Sequence, residues 1–222
     1  MISIVIPTYN EKDNLPILVK RIDTALKNNY QIVIVDDNSP DGTAKVALDL
    51  SKNYNLTLVK REGKLGLASA VIAGIEKAET ENIIVMDADL SHPPEKLPEF
   101  VKALETSDLV IGSRNIEGGK VETWPIHRKI VSAGATLMAN MLIGTNISDP
   151  MSGFFAIKKS ILQNTKIKVK GYKILMNILA KNPKIKIKEI PYVFQDRLYG
   201  QTKLDQKEMM NYVLDLIKLK LG

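Results

Sequence analysis

The sequence predicts an α/β fold, a mostly parallel sheet flanked by helices, and three observations predict it. Short runs rich in Ile and Val recur through the first 112 residues, as expected of strands covered on both faces. Amphipathic helical patterns separate them. Three of the runs end in acidic loops, "PTYNE", "DDNSPDG" and "DADLSH", and in such sheets ligands sit beyond the carboxyl ends of the strands.

Taken in order, the first strand is expected at 2–6 ("ISIVI"). A helix follows, because Leu15, Leu18, Val19, Ile22 and Leu26 form one apolar stripe at helical spacing. Strands are expected at 31–35, 56–60, 82–86 and 109–112, with helices from Thr43 to Leu50, Leu65 to Ala78 and Glu95 to Leu104. The second half is less regular. Residues 148–160 read as a loop into a strand, and 187–194 as one further strand. Pro191 lacks an N–H for the ladder and puts that strand at an edge. Residues 130–148 carry no charge over 19 positions, near spanning length. The helical part is expected to end by Gly144, and about 15 residues give roughly 22 Å against a hydrocarbon core of ~30 Å. A buried or interfacial helix is the better reading. In 206–222, Met210, Val213, Leu214, Ile217 and Leu221 form a stripe flanked by Lys207, Lys218 and Lys220. Such a helix lies in a membrane interface or caps the core.

Composition narrows the chemistry. With no cysteine, a disulfide framework, a thiolate nucleophile and a zinc–cysteine site are all excluded. The opening "MISIVIPTYN" has no basic segment, and Pro7 breaks its apolar run, so it does not read as a signal peptide. Residues 1–110 hold 12 Lys+Arg against 17 Asp+Glu, and residues 111–222 hold 19 against 8. An acidic half followed by a basic half suggests cation holding in one and binding of an anion or membrane surface in the other.

The stretch "MDADLSHPP" (86–94) carries the sharpest signal. In a continuing strand Asp87 and Asp89 would point to one face, where two close carboxylates repel. A hard divalent cation removes the conflict, and phosphates commonly complete its shell. His92 is a candidate ligand too, but "HPP" reads better as the end of a loop before a helix. Gly63 and Gly66 suit a phosphate approach or a turn into a helix. The "NIEGGKVETWP" loop, with its Gly-Gly pair and Trp124, suits a lid over a channel.

The motifs "VIPTYNE", "VDDNSPDGT" and "DADLSHPP" resemble the glycosyltransferase family 2 pattern. "REGKLGLASA", "IGSRN", "SDPMSGFFAIKKS" and "FQDRLYGQTKL" narrow the resemblance to its dolichol-phosphate mannosyltransferase group, over about residues 2–205. That resemblance implies a GT-A fold, a Rossmann-like sheet with a sugar nucleotide at its carboxyl edge. It implies residues 1–205 as the catalytic domain and 206–222 as an amphipathic, membrane-interfacial helix. It implies inverting transfer of mannose from GDP-mannose to dolichyl or another polyprenyl phosphate with Mg²⁺ or Mn²⁺, a UDP-glucose-dependent hexosyltransferase being the alternative.

Carried over by position, Pro7, Tyr9, Glu11, Asp37 and Lys64 would hold the donor. Asp87 and Asp89 would meet the diphosphate and the metal, with Ser91, a position where relatives often carry Gln, completing the metal shell. Arg114, Arg128, Ser132, Arg197 and Lys203 would hold the acceptor phosphate, Arg128 and Ser132 lying four apart on one helix face. Asp89, Arg114, Arg128 and Arg197 are the expected catalytic set, since guanidinium groups bind phosphate bidentately. A phosphomonoester is already ionised and needs no general base. Asp149, which matches the position of a base in other inverting relatives, is therefore expected to orient an arginine or the sugar. The expected setting is peripheral, on the cytoplasmic face of a membrane. A membrane-anchoring partner subunit is among the expected partners, and nucleic acid is not.

Two rival enzyme or signalling readings and a binding-only reading fit less well. A phosphoacceptor receiver domain would be complete in roughly 120 residues, within an ordinary domain's length, and leaves the second half unexplained. A nucleotidyltransferase would open on a glycine-rich basic loop, which "VIPTYNE" is not. A silent peripheral membrane module would not be expected to keep Asp87, Asp89 and the arginines together.

Overall fold

The computed structural model describes residues 1–121, 126–163 and 174–195, with backbone alone at 126–131, 142 and 163. Strand β1 (Ile2–Thr8) is followed by α1 (Leu15–Leu26), β2 (Tyr30–Asp36), α2 (Thr43–Leu50), β3 (Leu56–Lys60), α3 (Leu67–Lys77) and β4 (Asn82–Val85). After a 3₁₀ turn at Pro94–Lys96 come α4 (Leu97–Ala103), β5 (Leu109–Ser113), β6 (Lys120–Val121) and α5 (Ile126–Ile143). The chain continues through β7 (Phe155–Lys158), α6 (Lys159–Gln163), α7 (Ile174–Lys181), β8 (Ile187–Pro191) and β9 (Val193–Phe194).

Seven strands form one sheet in the order β3-β2-β1-β4-β7-β5-β8, and β6 pairs with β9 in a second, small one. Every pairing in the large sheet is parallel except those of β7, which runs antiparallel to both neighbours. The carboxyl ends of β1, β2, β4, β5 and β8 and the start of β7 therefore share one edge.

Both faces of the sheet are covered, which is why its strands read as near-continuous Ile/Val runs. Ile2, Ile4 and Ile6 of β1 pack with Leu15, Leu18 and Ile22 of α1 and with Phe100 of α4. Val5, Val33 and Val35 face the other way, toward Val71 of α3 and Ile178 of α7. Full burial of each such side chain is worth about 1.5–3 kcal/mol. Helix α3 lies close because of Gly74, where a Cβ would run into Val5 Cγ1.

Several expectations change. The strand placed at 82–86 ends at Val85, so Asp87 and Asp89 lie in a loop and the two-residue strand alternation does not orient them. The strand expected at 187–194 is broken at Tyr192 into β8 and β9. The break occurs because the Tyr192 N–H donates to Ser113 O while its carbonyl accepts from Lys120 N, which swings the chain to another partner. As Pro191 requires, β8 is an edge strand. Helix α5 stops before Gly144, whose φ of 73° ends it. The side chain of Asn140, donating to Ile147 O and accepting from Thr145 Oγ1, ties down the turn beyond. Among the described residues no helix is long and apolar enough to cross a membrane. The 206–222 helix lies outside the described residues.

Candidate active site

The first two acidic loops are stitched to each other. Thr8 Oγ1 and Ser39 Oγ both donate to Asp36 Oδ1, at 3.3 and 2.5 Å. Asn10 N–H donates to Ser39 Oγ and Glu11 N–H to Thr43 Oγ1, while Asp41 accepts from Lys12 N–H and from Thr43. Desolvation works against the Asp41 carboxylate, but the Thr43 and Lys12 hydrogen bonds outweigh it and hold its pKa below the ordinary range. Asp36 and Asp41 thus build the loops rather than face a ligand. Tyr9 and Glu11 are half-buried on the rim they form, and Pro7 sits within β1, opposite Val35.

Asp37 is buried beyond the end of β2, with Arg61 Nη1 2.8 Å from its Oδ1 and Gly66 N–H donating to its Oδ2 at 3.0 Å. Arg61 also donates from Nη2 to Ser69 Oγ at 2.6 Å. Arg61 was not among the expected site residues. The register pairs Asp36 with Lys60, so the next residue on each strand falls side by side, a signal that needed the strand order. Gly66 opens α3 with a φ of 95°, so its glycine serves the turn into the helix. Lys64 reaches back over the Tyr9 ring, 4.4 Å from its centroid, and ties the 61–66 loop to the first acidic loop.

The third loop is tighter. Asp89 is buried, and its Oδ1 accepts both the Ser91 N–H at 3.1 Å and the Ser91 hydroxyl at 2.6 Å. Between them Leu90 holds a φ of 65°, a left-handed conformation costing a β-carbon residue about 1–2 kcal/mol. Asp87 keeps about a third of its side chain exposed. His92 turns inward, with its Nε2 3.9 Å from Asp87 Oδ2. Its Nδ1 accepts the Asp87 N–H at 3.0 Å, and its ring stacks on Phe154 at 5.0 Å. It orients Asp87 from beneath, and its Nδ1 is spent. Gly153 brings the next loop against the same carboxylate, since a Cβ there would stand 3.4 Å from Asp87 Oδ2.

Among the described residues no three Asp, Glu or His side chains converge closely enough to hold a metal alone. The all-oxygen set of Asp87, Asp89 and Ser91 nevertheless fits a hard cation whose remaining oxygens come from a phosphate ligand.

Arg114 follows β5 and meets Asp149. Its Nε and Nη2 donate to the two carboxylate oxygens at 2.7 and 2.8 Å, and its backbone N–H adds a third bond at 3.1 Å. Burial works against the charge of Arg114, but the Asp149 hydrogen bonds and charge outweigh it, so the guanidinium stays protonated. Asp149 is thus an orienting group for an arginine. Arg114 and Ser132 line one groove of about 610 Å³ with Asn115, Lys120, Thr136 and Asn140. The Gly-Gly pair serves this wall: Gly118 takes a φ of 84°, and a Cβ on Gly119 would come within 2.7 Å of Ser113 O. That end of the expected lid is packed down, whereas Trp124 lies outside the described residues. So do Arg197, Lys203 and the side chain of Arg128.

Comparison with known proteins follows the same lines. The profile of the family described as glycosyl transferase family 2 matches residues 3–165. The dolichol-phosphate mannosyltransferase of Pyrococcus furiosus is 44% identical over 98% of this chain, which spans 63% of that relative's length. The enzymes of that name from Mycosarcoma maydis and Saccharomyces cerevisiae are 38% and 35% identical over 98% of the chain, covering 78% and 86% of their lengths. Glucosyl-3-phosphoglycerate synthase of Mycobacterium tuberculosis, in a crystal structure with Mn²⁺, UDP-glucose and phosphoglyceric acid, superposes with a TM-score of 0.73 at 18% identity. The match covers 100% of this chain and 78% of that one. The complex of that synthase with phosphoglyceric acid alone gives 0.74 at 17%, over 100% and 79%. At such identity the likeness is one of fold, and the fold is GT-A.

Proposed function

Because the chain belongs to glycosyl transferase family 2, we propose that it transfers mannose from GDP-mannose to dolichyl or another polyprenyl phosphate, with inversion. The observation that carries this reading is the Arg114–Asp149 pair. The oxygens of Asp149 are taken up by three N–H groups of Arg114, whereas a guanidinium held charged beside the site suits an acceptor that is itself an anion. The identity to three dolichol-phosphate mannosyltransferases supports the same choice of acceptor and sugar.

In this reading the donor lies along the edge from Asp37 and Tyr9, under Lys64, to Asp87. Asp87, Asp89 and Ser91 would hold Mg²⁺ or Mn²⁺, which supplies positive charge to the departing diphosphate. The acceptor phosphate enters the groove at Arg114 and Ser132; Arg128, Arg197 and Lys203 are the further phosphate-binding groups implied by the family resemblance, and Arg197, Lys203 and the Arg128 side chain lie outside the described residues. Arg114 holds the attacking oxygen in line with the anomeric carbon, and orientation is the larger part of what the protein contributes. No proton has to leave the nucleophile. Leu137 and Met141, exposed on α5, offer an apolar path beside the groove for a lipid tail, which supports a peripheral setting at a membrane surface.

The test is transfer of radiolabelled sugar to a polyprenyl phosphate in detergent, with Mn²⁺ or Mg²⁺, comparing GDP-mannose with UDP-glucose. Lipid product from GDP-mannose, lost on chelation and reduced at least about a hundredfold in Asp89→Ala, is the expected result. Product from UDP-glucose alone would overturn the donor, and metal-independent product would overturn the cation site.

A further inference from the structure

Tyr192 stands where the two halves of the site meet, and nothing above uses its hydroxyl. Its backbone is held on both sides, the N–H by Ser113 O at 3.1 Å and the carbonyl by Lys120 N at 3.2 Å. Its ring is held edge-on by His92 at 5.7 Å and by Phe154 at 5.5 Å. The side chain is 1% exposed. Yet among the described residues its hydroxyl oxygen is buried without a hydrogen-bond partner. The Ser152 hydroxyl lies close enough to interact weakly with it, but no hydrogen bond of good geometry joins the two, and Ser152 donates to Phe154 O and accepts from Phe154 N.

A buried hydroxyl left unpaired costs a fold about 1–3 kcal/mol, and phenylalanine would fill the same space without that cost. The oxygen is therefore open to a partner that comes from outside the fold. Its neighbours say where: Ser113, next to Arg114, accepts its backbone N–H, and the His92 ring against its own holds the Asp87 N–H. Burial keeps the phenol protonated far above neutral pH, so the group offers a neutral O–H donor among charged ones.

We propose that the Tyr192 hydroxyl is a substrate-binding group that donates a hydrogen bond to an oxygen of the bound nucleotide sugar, between the Asp87 side and the Arg114 side of the site. This rests on the reading of the protein as a sugar-nucleotide transferase. Two sources share the required chemistry, a hydroxyl of the hexose and an oxygen of the diphosphate.

The experiment uses the full chain and Tyr192→Phe, each titrated calorimetrically with GDP and with GDP-mannose in Mn²⁺, together with thermal unfolding in the absence of ligand. The variant is expected to unfold at the same or a higher temperature and to bind GDP-mannose about tenfold more weakly. Unchanged GDP affinity then assigns the bond to the hexose, and an equal loss for GDP assigns it to the diphosphate. Wild-type affinity for both ligands would overturn the proposal and leave a buried structural water as the partner. A lowered unfolding temperature with affinity lost in proportion would overturn it too, in favour of a packing role. Failure of the wild type itself to bind either nucleotide is a different result: it would overturn the functional reading, and this inference with it.

Discussion

Two arginine–aspartate pairs stand at opposite ends of the same sheet edge, and they are built in opposite senses. At the end proposed for the nucleoside the acid is the expected ligand group, and Arg61 holds it by one nitrogen while a second nitrogen goes to Ser69. At the acceptor end the base is the expected ligand group, and Asp149 grips it through two side-chain nitrogens and a backbone N–H. Both pairs are well buried, with side-chain exposures of 9% and 7% in the first and 13% and 2% in the second. The difference lies in how firmly the working member is fixed. A bidentate fork sets the plane of the guanidinium as well as its position, which suits the proposed role of aiming a nucleophile. A single contact plus the Gly66 N–H sets only a position, which is enough to bind.

The comparison breaks most sharply at Asp149. Asp149→Ala leaves a buried guanidinium unpaired, so we expect a loss of about 3 kcal/mol in unfolding free energy by denaturant titration. Transfer should fall by about a hundredfold or more, since a misplaced reacting group costs that much. Wild-type turnover in a folded Asp149→Ala protein would mean that Arg114 needs no orientation. Next comes Arg114→Lys, which keeps the charge but not the fork. Turnover is expected to drop about tenfold, with a smaller stability loss of about 1–2 kcal/mol, and steady-state assays at varied lipid phosphate would read it.

Arg61→Lys should do less, and something different. The nucleotide KM should rise severalfold with kcat nearly kept, the mark of lost uniform binding. Combining it with Arg114→Lys should give stability losses that add within about 0.5 kcal/mol. A larger coupling would show that the two ends act as one unit. The smallest effect is on acid stability. Because the folded pKa of Asp41 is lowered, its contribution is complete above its ordinary value of 3.8 and is lost as pH falls through the lower folded value. Asp41→Asn should flatten the stability–pH curve in that acid window alone, as melting temperatures at stepped pH would record.

The Arg61–Asp37 pair also shows what can be read without a structure and what cannot. The motif "REGKLGLASA" pointed to the segment, and the charge of Arg61 was in plain view, but its partner lies 24 positions away on the neighbouring strand. His92 could be seen beside the metal motif, whereas its inward turn depends on Phe154 and Tyr192. The alternation argument that singled out Asp87 and Asp89 rests on a strand the structure does not continue that far, because β4 ends at Val85.

By itself the sequence determined the alternation of strands and helices, since apolar periodicity and loop-forming residues are local properties written directly in the chain. It likewise determined which acidic and basic motifs lie at the strand ends. The tertiary structure alone decided which of those charges are spent on one another. Asp36 and Asp41 went to loop building, Asp37 to Arg61, Asp149 to Arg114, and the Tyr192 hydroxyl to none among the described residues. The physical reason is that a buried polar group must find a partner wherever the fold brings one within about 3 Å, and that distance bears no relation to separation along the chain.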